Sequence, residues 1–226
     1  YYGRWTYKFE EAARKGAAAA LIIHDTEGAS YGWDVVKNSW SGPQYDLPAK
    51  DDPAPRVPAQ GWITGEAATA LFKAAGQDLA KLRAAANKRG FKPVPLDATA
   101  SLDLKSSSVE KSSRNVIGLL PGSETPDEAI VYMAHWDHLG THDGEAGDNI
   151  YNGAVDNATG VAAILELAEA FRKAKTPPKR SILFLAVTLE ESGLLGSKYY
   201  VAHPVIPLDK TVAVVNLDAL APIGKA

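Results

Sequence analysis

The sequence predicts an α/β fold, a mainly parallel sheet with flanking helices, preceded by part of a smaller α/β domain. Three features of the 226 residues predict it. In the second half, apolar stretches and helical patterns follow the order strand, helix, strand, helix, strand, which implies a sheet built with right-handed crossovers. Ser181–Thr188 is apolar at almost every position, as a strand buried on both faces should be. Near the amino terminus, a helical stretch ends at a glycine and runs directly into an apolar segment.

Arg4–Lys15 carries Phe9, Ala12 and Ala13 on one side of a helix, with Gly16 placed to end it. Ala17–His24 then reads as a strand, its Ala17–Ile23 portion the longest apolar run of the chain, and Asp25–Gly32 as a turn. Tyr31–Pro58 is rich in Pro, Asp, Gly and Trp and reads as an irregular surface excursion. Thr64 is placed to cap a helix through Ala75, and Asp78 a second through Lys88, each closed by a glycine. Phe91-Lys92-Pro93-Val94-Pro95 is held extended by its prolines and marks a boundary between residues 1–94 and 95–226.

Beyond it, Ala100–Leu104 alternates as a strand and Arg114–Leu120 gives another, closed by Pro121-Gly122. Ala129–Ala134 is a short apolar strand leading into His135. Gly160–Lys173 places Val161, Ile164, Leu165, Ala168 and Phe171 at helical spacing. After Ser181–Thr188 come a helix over Leu194–Val201 and a further buried strand over Thr211–Leu217. No internal repeat is visible.

Composition narrows the function. A formal charge of −3, with Lys and Arg scattered, offers no surface for nucleic acid or an anionic membrane. The chain contains no cysteine, which excludes zinc–thiolate sites, disulfides and thiol nucleophiles. No apolar run reaches the about 18 residues of a membrane span. The chain opens at Tyr1, without an initiator Met or a visible signal peptide, inside what reads as an element, so a fragment or processed product is expected.

The chemistry concentrates at strand ends. His135 follows one apolar strand with Asp137 two positions on. Asp156-Asn157 precedes a helix. Glu190-Glu191 ends the most apolar strand, and Asp218 ends the last one. Each motif alone has an ordinary structural reading: a solvated loop, a helix N-cap, an acidic helix start, a turn. A parallel sheet, however, brings the carboxyl ends of its strands to one edge, where one imidazole and several carboxylates suit a divalent metal, zinc foremost. Two adjacent carboxylates buried without partners would be costly. They make sense if Glu191 binds metal while Glu190 takes a proton from the attacking water and returns it to a leaving amine.

At this point the chain resembles the M28 zinc peptidases, which include many co-catalytic aminopeptidases. The resembling stretches are MAHWDHLG (133–140), NGAVDNATGVAAILELAEAF (152–171), RSILFLAVTLEESGLLGSKYY (180–200) and VVNLDAL (214–220). The resemblance implies a zinc-exopeptidase-like fold and two zinc ions. His135 and Asp218 would hold one ion, Glu191 the other, and Asp156 would bridge them. Glu190 matches the family's general base, and Asp137 its support for the histidine. The family often has a cis peptide after the bridging Asp, here Asp156-Asn157. Residues 1–94 resemble part of the protease-associated (PA) domain of some members, through KFEEAARKGAAAALIIHD (8–25) and VPAQGWITGEAATALFKAAG (57–76). Such relatives are often secreted or periplasmic, which is the compartment expected.

The family also needs a histidine on the second zinc, supplied well beyond the Asp218 position, and the chain ends at Ala226. His138, His142 and His203 are assigned ordinary roles. A missing C-terminal segment or another chain is therefore expected to complete the site, with the isolated fragment inactive or incomplete. Peptide is the expected substrate and aminopeptidase action the expected activity. Carboxypeptidase or dipeptidase action on the same scaffold, or a non-catalytic binding module, are the alternatives. Serine hydrolase chemistry is disfavoured because no Gly-x-Ser-x-Gly elbow occurs.

Overall fold

The structure is a computed structural model that describes residues 1–141 and 147–221. His142 lies outside the described residues. The chain divides into two compact units: Tyr1–Gln44 with Ala54–Val109, and Tyr45–Pro53 with Glu110–Ala226. Residues 95–109, beyond the proline-marked boundary, cluster with the first unit, and residues 45–53 with the second.

In the first unit, α1 (Trp5–Arg14) packs on β1 (Ala19–Ile23), which pairs in parallel with β2 (Ala59–Ile63). Two short helices lie between these strands, α2 (Thr26–Ala29) and α3 (Trp33–Ser39). They correct the expectation of a turn at Asp25–Gly32 and irregular chain over Tyr31–Pro58. Val36 of α3 is buried, an anchor that the polar composition of the stretch conceals. The strand β1 is also more open than its composition suggests, with Leu21 exposed. Helices α4 (Gly65–Ala74) and α5 (Leu79–Ala86) begin where the capping residues place them. The Thr64 hydroxyl accepts from the Ala67 amide, and the Asp78 carboxylate from that of Lys81.

The second unit carries a four-stranded sheet in the order β3 (Val116–Leu120), β7 (Arg180–Val187), β4 (Thr125–His135), β8 (Thr211–Asn216). A two-stranded ribbon, β5 (Gly140–Thr141) with β6 (Ile150–Tyr151), stands apart from it. The sheet is mixed: β3 runs antiparallel to β7, whereas β7, β4 and β8 are parallel. Residues 100–104 form no strand; Leu102 and Leu104 are exposed, so their alternation has no partner to pair with.

Two-residue periodicity sorts the central strands into two faces. On one, Val131 and Met133 of β4 meet Leu183, Leu185 and Val187 of β7 and Tyr200 of α7 (Leu195–Ala202). On the other, Tyr132 and Phe184 stack near Phe171 of α6 (Ala158–Lys173), with ring centroids 5.8–6.3 Å apart. Fully burying each such apolar side chain is worth about 1.5–3 kcal/mol, which makes β4 and β7 the rigid centre. At the periphery the expectations need correction. Leu165 of α6 faces solvent, and β8 is not a buried strand: Val212, Val214 and Val215 are exposed because the strand pairs only with β4 among the described residues.

Candidate metal centre

Parallel register sets the site. His135 ends β4 opposite Val187, which ends β7, and Met133 lies opposite Asn216 at the end of β8. The Trp136 amide donates to the Val187 carbonyl and the Leu217 amide to the Met133 carbonyl, so all three chains leave the sheet at one edge. The turn after β7 then presents Glu190 and Glu191, and the turn after β8 presents Asp218. Leu189 (φ 52°), just before Glu190, and Ala219 (φ 45°), just after Asp218, adopt left-handed backbone. That conformation is unfavourable for residues with a Cβ and gathers at functional turns.

His135 is the buried hub, its side chain 2% exposed. Its Nε2 lies 2.9 Å from Asp156 Oδ1 and 3.2 Å from Asp218 Oδ1. Its Nδ1 is 3.0 Å from the Asp137 backbone carbonyl. The Asp137 carboxylate lies farther, at 3.9 Å, and accepts instead from the Glu190 amide at 3.4 Å. Asp137 thus supports the histidine through its carbonyl, while its side chain braces the Glu190 turn. Nδ1–H donation to a carbonyl leaves Nε2 as the lone-pair nitrogen, directed at the carboxylates.

Asp156 enters from the loop before α6. The Asp156–Asn157 peptide is cis, as the resemblance implies. Asn157 takes the capping role, its Oδ1 accepting from the Gly160 amide at 3.0 Å, which leaves the Asp156 carboxylate for the site. Asn157 also donates from Nδ2 to the Leu217 carbonyl (2.9 Å) and accepts from the Ala219 amide (3.2 Å). One buried amide therefore holds both sides of Asp218. Gly160 makes this approach possible, since a Cβ there would lie 2.3 Å from the Leu217 oxygen.

The surroundings of Glu190 perturb its carboxyl. Burial raises its pKa above the usual range; the His135 charge opposes this, and Glu191, Asp218 and Asp156 push the same way as burial. For His135 burial is the largest influence and acts downward, but the Asp137 carbonyl and the charges of Glu190 and Asp218 outweigh it and raise the net value.

Among the described residues the donors form three overlapping groups whose ligand atoms lie within 4.8 Å of one another: His135 with Asp156 and Asp218, His138 with Asp156 and Glu191, and His135 with Glu190 and Glu191. Nitrogen plus carboxylate oxygen is a zinc donor set, and bonds of about 2.0–2.2 Å in a tetrahedron place donors about 3.3 Å apart. The 2.9 and 3.2 Å separations around His135 fit that spacing. All six residues expected at the site, His135, Asp137, Asp156, Glu190, Glu191 and Asp218, come together.

Three further residues support the site beyond the six expected there. His138 Nδ1 lies 2.7 Å from Glu191 Oε1. Asn115 accepts from the Thr188 amide (3.1 Å) and donates to the Gly196 carbonyl (2.8 Å), tying the Glu190 turn to α7. Asn157 is the third. Asn115 carries no local signal, because its partners lie more than seventy residues away. His203, by contrast, has the structural place expected of it at the end of α7, its ring stacked on Tyr199 and facing Asp51 at 3.4 Å.

By sequence, the chain is similar to known peptidases. Residues 115–226 match the sequence profile of Peptidase family M28. Aminopeptidase NAALADL1 of Mus musculus is 30% identical over 137 residues, covering 57% of this chain and 17% of that protein. A glutamate carboxypeptidase 2 homolog of Caenorhabditis elegans is 34% identical over 125 residues (53% and 15%). Aminopeptidase YwaD of Bacillus subtilis is 34% identical over 105 residues (46% and 20%). The chain spans 20% or less of the length of each of these relatives. A solved structure of a peptidase M28 precursor from Shewanella amazonensis SB2B aligns with a TM-score of 0.38 at 31% identity, over 46% of this chain and 22% of that one. Through residues 115–226, the chain belongs to peptidase family M28.

Proposed function

We propose that this chain carries the catalytic edge of a two-zinc exopeptidase that removes amino-terminal residues from peptides. The observation that carries the reading is the sharing of Asp156 between two donor groups, one on His135 and Asp218, the other on Glu191. A carboxylate offering one oxygen to each of two cations is what a co-catalytic pair requires. When bound, zinc would polarise the scissile carbonyl and lower the pKa of water.

The protein's own groups do the remaining work. Glu190 stands beside the metal-ligand cluster with a carboxyl that burial shifts toward neutral pH, suited to taking a proton from water and handing it to the departing amine. The Asp137 contact to the Glu190 amide fixes the turn that carries this carboxylate. The His135 Nδ1 contact to the Asp137 carbonyl keeps Nε2 facing the metal position. In this reading the first unit is a PA-like domain with no part in the chemistry, and the protein works outside the cytoplasm.

The similarity to a glutamate carboxypeptidase 2 homolog supports carboxypeptidase action as the second reading. Hydrolysis of an aminoacyl nitroanilide against an acyl-blocked peptide separates the two. In the full-length protein, zinc-dependent release from the free-amine substrate is expected, and Glu190→Gln should lower it by about 100-fold or more with metal content unchanged. Full activity in Glu190→Gln would remove the glutamate from its role, and a chain that takes up no divalent metal would end the whole reading.

A further inference from the structure

Tyr45–Pro53 forms no helix or strand, and it clusters with the second unit although the residues before and after it belong to the first. We infer that this segment is a releasable strap, clasped onto α7 by charge and freed when that charge is screened or removed.

Three observations carry it. First, no residue of the segment is buried, and apart from the half-buried Leu47 the covered ones are charged. The Asp51 and Asp52 side chains are only 14% and 15% exposed, whereas Tyr45 is 45% exposed. Aspartates are covered to that degree where they are paired, and apolar burial contributes little to seating this segment. Second, the pairs are made. Asp51 Oδ1 lies 3.4 Å from His203 Nε2, and Asp52 Oδ2 lies 4.0 Å from Lys198 Nζ. The Asp51 and Asp52 amides both donate to the Pro48 carbonyl, at 2.8 and 3.1 Å, a tight turn that offers both carboxylates to one helix. Third, the cations are set by α7, which carries no acidic residue of its own. His203 stacks on Tyr199 with centroids 4.4 Å apart, and its Nδ1 is 3.3 Å from the Tyr199 carbonyl. Both ring nitrogens thus face acceptors, and a ring carrying two N–H groups and a positive charge serves both. The carboxyl end of a helix favours that charge. Lys198 and His203 are each 45% exposed, so water and salt reach the two pairs. Ion pairs this open are weak and are screened by salt, which makes the clasp reversible.

The test is limited proteolysis of the 226-residue chain with a lysine-specific protease, read by mass spectrometry. The buffer is held at about pH 6, below the ordinary histidine value of about 6.5. Lys50 lies inside the strap, and cleavage after it requires the segment to leave α7. Lys111, exposed and outside any helix or strand, is the internal standard. In low salt the wild-type ratio of Lys50 to Lys111 cleavage should be well below one. Asp51→Asn and Lys198→Gln should each raise it by about twofold to fivefold, the weight of one exposed ion pair, and the double variant should raise it further. In 1 M NaCl, where the screening length is about 3 Å, wild type should approach the double variant, which should itself not respond to salt. Asparagine and glutamine keep size and hydrogen-bonding capacity but lose the charge, so a segment seated by shape alone would not move in any of these arms. Circular dichroism confirms that each variant is folded. Wild-type cleavage after Lys50 as fast as after Lys111 in low salt would show that the segment is not docked. A ratio unchanged by the substitutions or by salt would show that charge does not hold it. Either result would overturn the strap.

Discussion

Asn157 offers the sharpest test of how the site is held. Its side chain sits in a residue only 3% exposed and makes three hydrogen bonds: from the Gly160 amide at 3.0 Å, from the Ala219 amide at 3.2 Å, and to the Leu217 carbonyl at 2.9 Å. Asn157→Ala removes an N-cap, worth about 0.5–2 kcal/mol. It also strands the half-buried Leu217 carbonyl, at a further cost of about 1–3 kcal/mol, while the exposed Ala219 amide can turn to water. The expected destabilisation is about 2–4 kcal/mol, read from urea denaturation and from faster hydrogen exchange at the start of α6. Because the lost bonds flank Asp218 and adjoin Asp156, zinc affinity should also fall by about 10–100-fold, as for other groups that orient metal ligands. Asn157→Asp sharpens the test. It keeps the oxygen that caps α6 but sets a second oxygen against the Leu217 carbonyl, so α6 should stay protected while metal affinity still drops. A loss below about 0.5 kcal/mol with unchanged zinc affinity in Asn157→Ala would refute the claim that this amide couples the two turns.

The remaining predictions concern the scaffold. Leu183, fully buried in the central strand β7, should cost about 2–5 kcal/mol on substitution by Ala, measured by denaturant unfolding of the second unit; a cost under about 1 kcal/mol would mean that β7 is not the packed centre. Burial raises the Tyr200 phenol above its usual value, against a smaller lowering by the Ile206 backbone. A raised folded-state pKa contributes stability that is complete below the unfolded value of about 10 and is lost as pH rises through the folded one. The unfolding midpoint should therefore fall as pH rises above about 10 more steeply in wild type than in Tyr200→Phe, and equal slopes would show that Tyr200 does not titrate with unfolding.

Legibility in the sequence followed locality. The Thr64 and Asp78 caps, helix α6 and the ends of β4 and β7 are written in contiguous residues, and the structure has them within a residue or two. The convergence of His135, Glu190, Glu191 and Asp218 was legible because parallel strands leave no other edge for their carboxyl ends, whereas Asp156 joins them from the loop before α6 rather than from a strand of the sheet. What failed depends on partners distant in sequence. Leu102 and Leu104 alternate like a strand but find none, and the valines of β8 read as doubly buried although one face of the pairing is open. His138, three residues from His135, was given an ordinary role, and the structure sets its ring beside Glu191. The chain turns between them, and Gly153, from the loop carrying Asp156, meets the second ring while the first points into the sheet edge.

The electrostatics of the edge explain why its parts hang together. Asp156, Glu190, Glu191 and Asp218 stand around two imidazoles, and the three neighbouring carboxylates push Glu190 in the same direction as its burial does. Like charges at such separations oppose folding, and they are held close by contacts that do no chemistry: the Asn157 amide, the Asp137 braces, the Asn115 bonds to Thr188 and Gly196. Left-handed backbone at Leu189 and Ala219 adds to the cost, by about 1–2 kcal/mol each. A fold optimised for stability alone would place neither these carboxylates nor these turns together. In the two-zinc reading proposed above, divalent cations would reverse the balance, since two of them would carry enough positive charge to neutralise all four carboxylates. The stability of the second unit and its metal affinity are then two readings of one arrangement, and a substitution that loosens the edge should be felt in both.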